Sequence, residues 1–421
     1  MIRDAIPSYN NFYEATAQRD VYPSLQGEMH ADVCIIGGGI TGCSTALHLS
    51  QMGYRVVLLE SNRIGHGASG RSGGQLLPGY SCGQPALQRQ LGKDDAHRLW
   101  DISVEAVQLA IALIRQHHID CDLQFGHLDV ALKPRHRDEL LEHQQQLSRE
   151  YHYQTLKMIE GDELLSLVNS HRYIAGLHDS ACAHIHPLNY TLGLAGAASR
   201  AGALLYEQSS VVGIDQSVNV IGIRTEHGKV NANQIVLCAN VDNVEVGRQS
   251  PRIMPVATCM IATEPLSCEV VKPDIAVSDC NFILDYFRMS NSRLLFGGGV
   301  SYSGHATSFS MRHIQQRMLR VFPQLHDVKI EYAWYGLLDI SMNRAPDFGR
   351  IGNNVYYLQG FSGHGLALAT MAGKLVAGSI AMQNERFDLF SRIKHRPFPG
   401  GPLRTPLLML AMLWYRFRDL M

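Results

Sequence analysis

Three glycines, Gly37, Gly39 and Gly42, stand in the spacing G-x-G-x-x-G, and Glu60 follows roughly twenty residues on. Each position answers a physical need of a bound dinucleotide. The first glycine allows a tight turn, the second lets backbone approach a pyrophosphate, and the third lets helix and strand pack closely. Amides at the start of the following helix then face the anion. A carboxylate at Glu60 accepts hydrogen bonds from ribose hydroxyls and disfavours a 2′-phosphate. A second glycine-rich run, GHGASGRSGGQL at 65–76, suits an extended, buried cofactor that backbone approaches closely. His184 and His186 have no acidic or cysteine partner at ligand spacing, so a packed histidine pair is expected and no metal.

These residues need elements to hold them. VCII at 33–36 and RVVLLE at 55–60 read as buried parallel strands, with a helix over 42–52 between them and Gly53 at its C-terminal stop. Apolar spacing predicts a helix over 99–114, a more polar one over 135–153, and one starting at Pro187 and running to about Gly202. NQIVLCA at 233–239 reads as another buried strand. Residues 282–289 and 293–300, separated by Asn291 and Ser292, read as a hairpin. A helix near 308–322 stops at Pro323, and a strand runs around 328–334. VYYLQ at 355–359 reads as a strand, followed by a glycine turn and a small-residue helix to about 382.

Parallel texture thus occurs at the start, middle and end, with antiparallel texture between. The expectation is an α/β fold with an α+β substrate part: a discontinuous two-domain protein, with a Rossmann-like nucleotide domain and an antiparallel-sheet domain. The expected boundaries are 1–98, 165–245 and 340–385 for the first domain, 99–164 and 246–339 for the second, and 386–421 for a tail with an apolar helix.

Composition excludes other classes. The chain has 421 residues, 46% hydrophobic and 18% charged, with a net charge of −1. Disorder is excluded, and no bulk field recruits nucleic acid. Nine scattered cysteines without a C-x-x-C pair suit a reducing compartment. No apolar run reaches the about 18 residues that span a bilayer. A cytoplasmic protein is expected. The longest apolar run, 407–415, is expected to pack on the body rather than rest on a membrane.

Beyond composition, several blocks are recognisable in order along the chain. They are IIGGGITG at 35–42, RIGHGASGRSGGQ at 63–75, AHIHPLN at 183–189, DCNFILDYFR at 279–288, RLLFGGG at 293–299, FSGHG at 361–365 and HRPFPGG at 395–401. With them the sequence resembles the FAD-dependent amine and amino-acid oxidase superfamily, and within it the branch acting on γ-glutamylputrescine. Ser72, His66, Ser341 and Asn343 depart from the pattern of close relatives.

The resemblance implies FAD, bound without a covalent tether because no tether residue matches. Gly37, Gly39 and Gly42 would hold the pyrophosphate and Glu60 the adenosine ribose, with Arg63 beside the adenosine half. Ser69, Gly70, Arg71, Gly74, Gln75 and Leu76 would run along the ribityl and flavin side. Val211 or Val212 would pair with adenine through its backbone. Gly336, Gly363, His364, Gly365 and Leu366 would approach the ring. Free amides at the start of the last helix would stabilise negative charge on a reduced flavin, and His364 would add to that field if protonated.

The implied chemistry is oxidation of a small-molecule amine, with O2 or another acceptor taking the electrons. Tyr286 and Arg288 share a strand face by the period of two. Arg288 would bind a carboxylate, and Tyr286 and Tyr302 would line an amine channel; an ordinary surface hairpin is the alternative for each. The leading expectation is conversion of γ-glutamylputrescine to γ-glutamyl-aminobutyraldehyde, ammonia and hydrogen peroxide. A dehydrogenase for another amine, passing electrons to a membrane acceptor, is the second. A non-catalytic or RNA-modifying flavoprotein is the third.

Overall fold

In the computed structural model of the chain, residues 10–216, 220–241, 252–301 and 308–399 are described. Tyr302 and the apolar run at 407–415 lie outside them. The described strands form two sheets.

The first sheet contains β1 (Gly27–Ile36), β2 (Val56–Leu59), β7 (Leu204–Tyr206), β8 (Val211–Gln216), β9 (Ile221–Thr225), β10 (Gly228–Leu237), β16 (Asp347–Ile351) and β17 (Val355–Gln359). Its order is β16-β17-β10-β1-β2-β7, with β9 pairing β10 and β8 pairing β9. The pairs β17–β10, β10–β1, β1–β2 and β2–β7 are parallel. Residues 33–36 are buried on both faces, which is why they read as an unbroken apolar run.

Two helices follow parallel strands of this sheet directly: α2 (Ile40–Gln51) follows β1, and α9 (Leu366–Ile380) follows β17. Both therefore begin at the same edge of the sheet. They pack against each other through small residues. A Cβ on Gly373 would stand 2.6 Å from Ser44 Cβ and from the Thr45 amide nitrogen. Ser44 Oγ donates to the Thr370 carbonyl at 2.7 Å. The core around them also takes in α4 (Lys93–Gln116) and α7 (Pro187–Arg200), through Leu99, Ile102, Ala110, Tyr190 and Leu194. Pro187 stands in the first turn of α7, where its missing N–H costs nothing.

The second sheet has the order β15-β11-β14-β13-β12-β4-β6-β3, with β5 pairing β6. Its strands are β3 (Gln75–Leu76), β4 (Gln124–Ala131), β5 (Leu156–Glu160), β6 (Ala175–His184), β11 (Ile253–Thr263), β12 (Ala276–Asp279), β13 (Asp285–Ser290), β14 (Arg293–Ser301) and β15 (Ile330–Ser341). The expected hairpin is β13–β14, with Ser290 opposite Arg293. Asn291 and Ser292 both take positive φ, 49° and 60°, as a two-residue hairpin loop requires. Helix α8 (Ser308–Val321) covers one face, packing Met311, Ile314 and Met318 on Ile261, Phe287 and Phe296. The remaining described α-helices are α1 (Phe12–Thr16), α3 (Gln84–Leu91), α5 (Pro134–Tyr151), α6 (Gly161–Leu167) and α10 (Glu385–Ser391). No single described helix is long and apolar enough to cross a membrane.

The sheets divide the chain differently from the expected boundaries. β3 and β6, from segments assigned to the nucleotide part, pair into the second sheet. α4, assigned to the substrate part, packs against α9 and α3 in the first core. The reason is the chain path: β3 crosses to the second sheet by pairing Gln75 with His184, and α4 returns its apolar face to the first.

Gly373→Val is expected to lower the thermal midpoint by several degrees, because even its Cβ would meet Ser44 Cβ, which backbone fixes, and the Thr45 amide nitrogen at the α2–α9 contact. A melting curve superimposable on that of the unaltered protein would show that the helices part freely.

Candidate cofactor and substrate cavity

The chain turns sharply where β1 ends. Gly37 takes φ +109°, and a Cβ there would meet the Cys238 carbonyl oxygen at 2.5 Å. A Cβ on Gly42 would stand only 1.9 Å from the Gly37 carbonyl oxygen, so the turn and the first coil of α2 interlock only with glycine at that position. Gly39 caps α2 without a side chain, and among the first amides Ile40 donates to Ser69 Oγ at 3.0 Å. Glu60 lies at the end of β2. Its Oε2 accepts from the Gly38 amide at 2.7 Å and its Oε1 from the Asn62 amide at 2.8 Å.

These groups border a cavity of about 1550 Å³ that reaches from the first sheet across to the second. A single drug-sized ligand occupies about 300–1000 Å³, so a dinucleotide and a second molecule both find room. Gly37, Gly39, Glu60, Ser69, Arg71, Gly74, Gln75, Val211 and Gly336 line it, as do Gly363, His364, Gly365, Leu366 and Tyr286. Other expected residues do not. Gly42 and Gly70 serve the turns behind the wall: a Cβ on Gly70 would stand 2.2 Å from the Gly65 carbonyl oxygen. Leu76 is fully buried in the first core. Arg63 is exposed and does not itself line the cavity, although Glu60, Ser61 and Asn62 before it do. A bulge between Val211 and Gly213 leaves the Val212 side chain 61% exposed, so Val211 is the lining residue of that pair.

Arg288 requires a larger correction. Its side chain is 1% exposed and does not line the cavity. Nε donates to the Gly73 carbonyl at 3.1 Å and an Nη to the Ile185 carbonyl at 2.9 Å. The same nitrogen lies 3.4 Å from Tyr13 Oη, and the nearest carboxylate, Asp122, is 4.0 Å away. A guanidinium spent on backbone carbonyls cannot clamp a substrate carboxylate. It instead holds the loop through Gly73 and Gly74 against the end of β6. Gly74 takes φ +80°, and a Cβ there would meet the Ile185 carbonyl oxygen at 2.3 Å. Arg288 is thus a positioning residue. His186 and His184 lie buried beside it, and burial, reinforced by that cation, pushes their pKa values down to about 4 and about 3.

At the far end of the cavity Gly360 takes φ +79°. Asp339 on β15, missed by the sequence reading, accepts from the Gly360 amide at 2.6 Å and shapes the turn. Burial raises its pKa to about 6. His364 donates through Nε2 to the Pro78 carbonyl at 2.9 Å. Burial lowers its pKa, which favours the neutral ring, so the positive field at this end comes from the first amides of α9. Tyr286 packs over Gly73 and Gly297 and sits 3.4 Å from Thr258 Oγ1. Among lining residues the sequence reading passed over are Thr258, Ser278, His127 and Asp129. The polar positions of β4 face this cavity, and no local motif marks them.

FAD fits these residues. The glycine turn leaves backbone open to a diphosphate, Glu60 lines the cavity at the end of β2, and the buried Ser72 Oγ on the cavity wall has no partner among the described residues. Gly336 lies against Arg71, close enough that a Cβ would stand 3.2 Å from Arg71 Cβ, and Trp334 Nε1 donates to the Arg71 carbonyl at 3.0 Å. The loop at 71–74 is therefore held by β13 and β15 of the second sheet.

Arg288→Leu leaves the Gly73 and Ile185 carbonyls unpaired, at a cost of about 1–3 kcal/mol each. At least tenfold weaker FAD retention is expected, read from the fluorescence of released flavin; wild-type retention would contradict the positioning role. A second expectation concerns pH. Between about 4 and 6.5 the unfolded chain protonates His184 and His186 while the folded chain resists it. Stability therefore falls as pH drops through that window, by up to about 1.4 kcal/mol per unit for each ring. His186→Asn, which can still cap α7, should flatten the urea-unfolding profile there by about one proton.

Comparison with known proteins agrees with this geometry. The family model described as DAO, FAD dependent oxidoreductase, matches residues 32–379. The gamma-glutamylputrescine oxidoreductase of Escherichia coli (strain K12) is 38% identical over 420 residues, covering 97% of this chain and 98% of the relative. The probable oxidoreductase OrdL of Haemophilus influenzae is 36% identical, covering 97% and 96%. Among solved structures, glycine oxidase from Geobacillus kaustophilus superposes with a TM-score of 0.74 at 21% identity, over 87% of this chain and 99% of that one. The L-amino acid deaminase from Proteus myxofaciens gives 0.73 at 16% identity, over 90% and 97%. These two share the fold. The chain belongs to the DAO family of FAD-dependent oxidoreductases.

Proposed function

We propose that this enzyme oxidises the primary amine of γ-glutamylputrescine to an imine, which water hydrolyses to γ-glutamyl-aminobutyraldehyde and ammonia, with O2 as the electron acceptor and hydrogen peroxide formed from it. The observation that carries the reading is the near full-length similarity to a relative whose name states that substrate. The cavity supports it: beyond the cofactor cradle it continues to Trp100, Tyr153, Leu156 and Leu177, room for a long, flexible amine. A cytoplasmic location and a division of the chain that follows the two sheets belong to the same proposal.

FAD, when bound, supplies the electron sink for the hydride that leaves the carbon bearing the amine. The chain's residues orient and shield. The first amides of α9, at Leu366 and Ala367 on the cavity wall, would face the ring end, and Glu60 would hold the adenosine ribose end. Tyr286, Val256, Leu338 and Phe361 wall the space beside the Gly73–Gly74 loop and exclude water. The cofactor is held by these contacts without a covalent bond.

Anaerobic mixing with a panel of amines tests the reading. γ-Glutamylputrescine should bleach the flavin faster than putrescine, glycine or sarcosine, and readmitted O2 should restore the colour with one peroxide per turnover. Acid precipitation should leave the yellow colour in the supernatant. Faster bleaching by an α-amino acid, or colour retained in the pellet, would overturn the substrate or the non-covalent assignment respectively.

A further inference from the structure

The parallel pairing of β12 with β4 sets Ser278 beside Asp129 and Ala276 beside His127. A continuous polar line results. Ser278 Oγ lies 3.3 Å from Gln75 Oε1 and 3.2 Å from His127 Nε2, and His127 Nδ1 lies 3.8 Å from Asp129 Oδ2. All four residues line the cavity. The line begins at Gln75, the last residue of the loop that flanks the flavin position. It passes a histidine side chain only 4% exposed and ends at a carboxylate 43% exposed. We infer that Ser278, His127 and Asp129 form a proton path that takes the proton an ammonium substrate must lose before hydride can leave its carbon.

The inference rests on the amine-oxidase reading above. An alkylammonium has an ordinary pKa near that of lysine, about 10.4, so at neutral pH the substrate arrives charged. Only the neutral amine, with its lone pair free, can expel a hydride from the adjacent carbon. The first step is RCH2NH3⁺ → RCH2NH2 + H⁺, and no electrons move in it. The proton passes to Ser278 Oγ as that hydroxyl passes its own to His127 Nε2; the imidazole then releases its Nδ1 proton toward Asp129. The second step is the loss of hydride from RCH2NH2 to bound FAD, the oxidant, which leaves the iminium RCH=NH2⁺. A hydroxyl both donates and accepts, and an imidazole has two nitrogens, so each link can receive on one side and deliver on the other.

The order Ser–His–Asp is also that of a nucleophilic triad, but the geometry argues for conduction. Ser278 Oγ is within reach of a second acceptor, Gln75 Oε1, and the His127–Asp129 separation exceeds a hydrogen bond. Nor is the line needed to hold the loop, since Gln75 Nε2 already donates to the Val277 carbonyl at 3.2 Å. The titratable groups facing His127 are Asp129 on its own strand, His178, Asp179 and His184 on β6, and His364 after β17. His143 on α5 faces Asp129. No lysine or arginine is among them.

The test is anaerobic stopped-flow reduction of the flavin by γ-glutamylputrescine from pH 6 to 10.5, in the holoenzyme and in His127→Gln, Ser278→Ala and Asp129→Asn. At pH 7 the His127→Gln and Ser278→Ala rates should fall at least tenfold. They should converge on the wild-type rate above about pH 10, where the amine is already neutral. His127→Ala should regain part of its rate at pH 7 on addition of imidazole. Flavin content and the visible spectrum report whether each variant is folded and loaded. Ser278→Ala, the smallest change, decides the matter if the histidine variants lose FAD. A loss of equal size at every pH, or unchanged rates, overturns the path while leaving the amine reading intact. Wild-type flavin that no amine reduces overturns both.

Discussion

A buried guanidinium with no carboxylate among the described residues closer than 4.0 Å is an unusual thing to place on a sheet strand, and the loop at Gly73 and Gly74 is organised around it. Water does not reach Arg288, so its donors must find protein acceptors. They take the carbonyls of Gly73, Ile185 and Met289 and approach Tyr13 Oη. That requirement fixes the crossing loop against β6 and draws α1 down over it. Asn11 Nδ2 donates to the Gly70 carbonyl, and Thr16 Oγ1 meets His186 Nε2. With the loop fixed, the ring position has a floor, and the two sheets share one wall.

The electrostatics of the site follow from topology. α2 and α9 start from parallel strands of one sheet, so their positive ends open onto the same edge. In the proposed binding mode one end would face the diphosphate and the other the ring that gains charge on reduction. Glu60, at the end of β2, would supply an acceptor on the adenosine side of the diphosphate. His364 is held neutral by its buried setting, so the field at the ring comes from fixed backbone dipoles. The opposite wall, built from β4, β6 and β12, carries Asp129, Asp179 and Asp279, and burial together with Asp285 raises the Asp279 pKa to about 7.

Much of the nucleotide side was legible because backbone sterics leave a mark on residue type. Only glycine fits at Gly37, Gly42 and Gly74, and the sequence shows glycine there. Buried parallel strands such as β1 and β17 read as plain apolar runs. The substrate side was largely illegible for the opposite reason. Arg288 looks like a carboxylate clamp in a hairpin, and its true partners come from residues 73 and 185, far along the chain. His127 and Asp129 alternate with the buried Leu128 and Val130 as a strand requires, but nothing in their residue types says that the polar face meets a cavity rather than solvent.

The order of the first sheet also governs how the protein comes into being. Its amino-terminal strand is flanked by a strand that starts at Gly228, which in turn is flanked by one that starts at Val355. The glycine turn at Gly37 abuts the Cys238 carbonyl, so its second wall is synthesised about two hundred residues later. During translation the nascent segment therefore waits, incomplete, until almost all of the polypeptide has emerged. Capture of the prosthetic group is an event of the finished chain, and its binding energy secures the assembled fold rather than guiding the early steps of assembly.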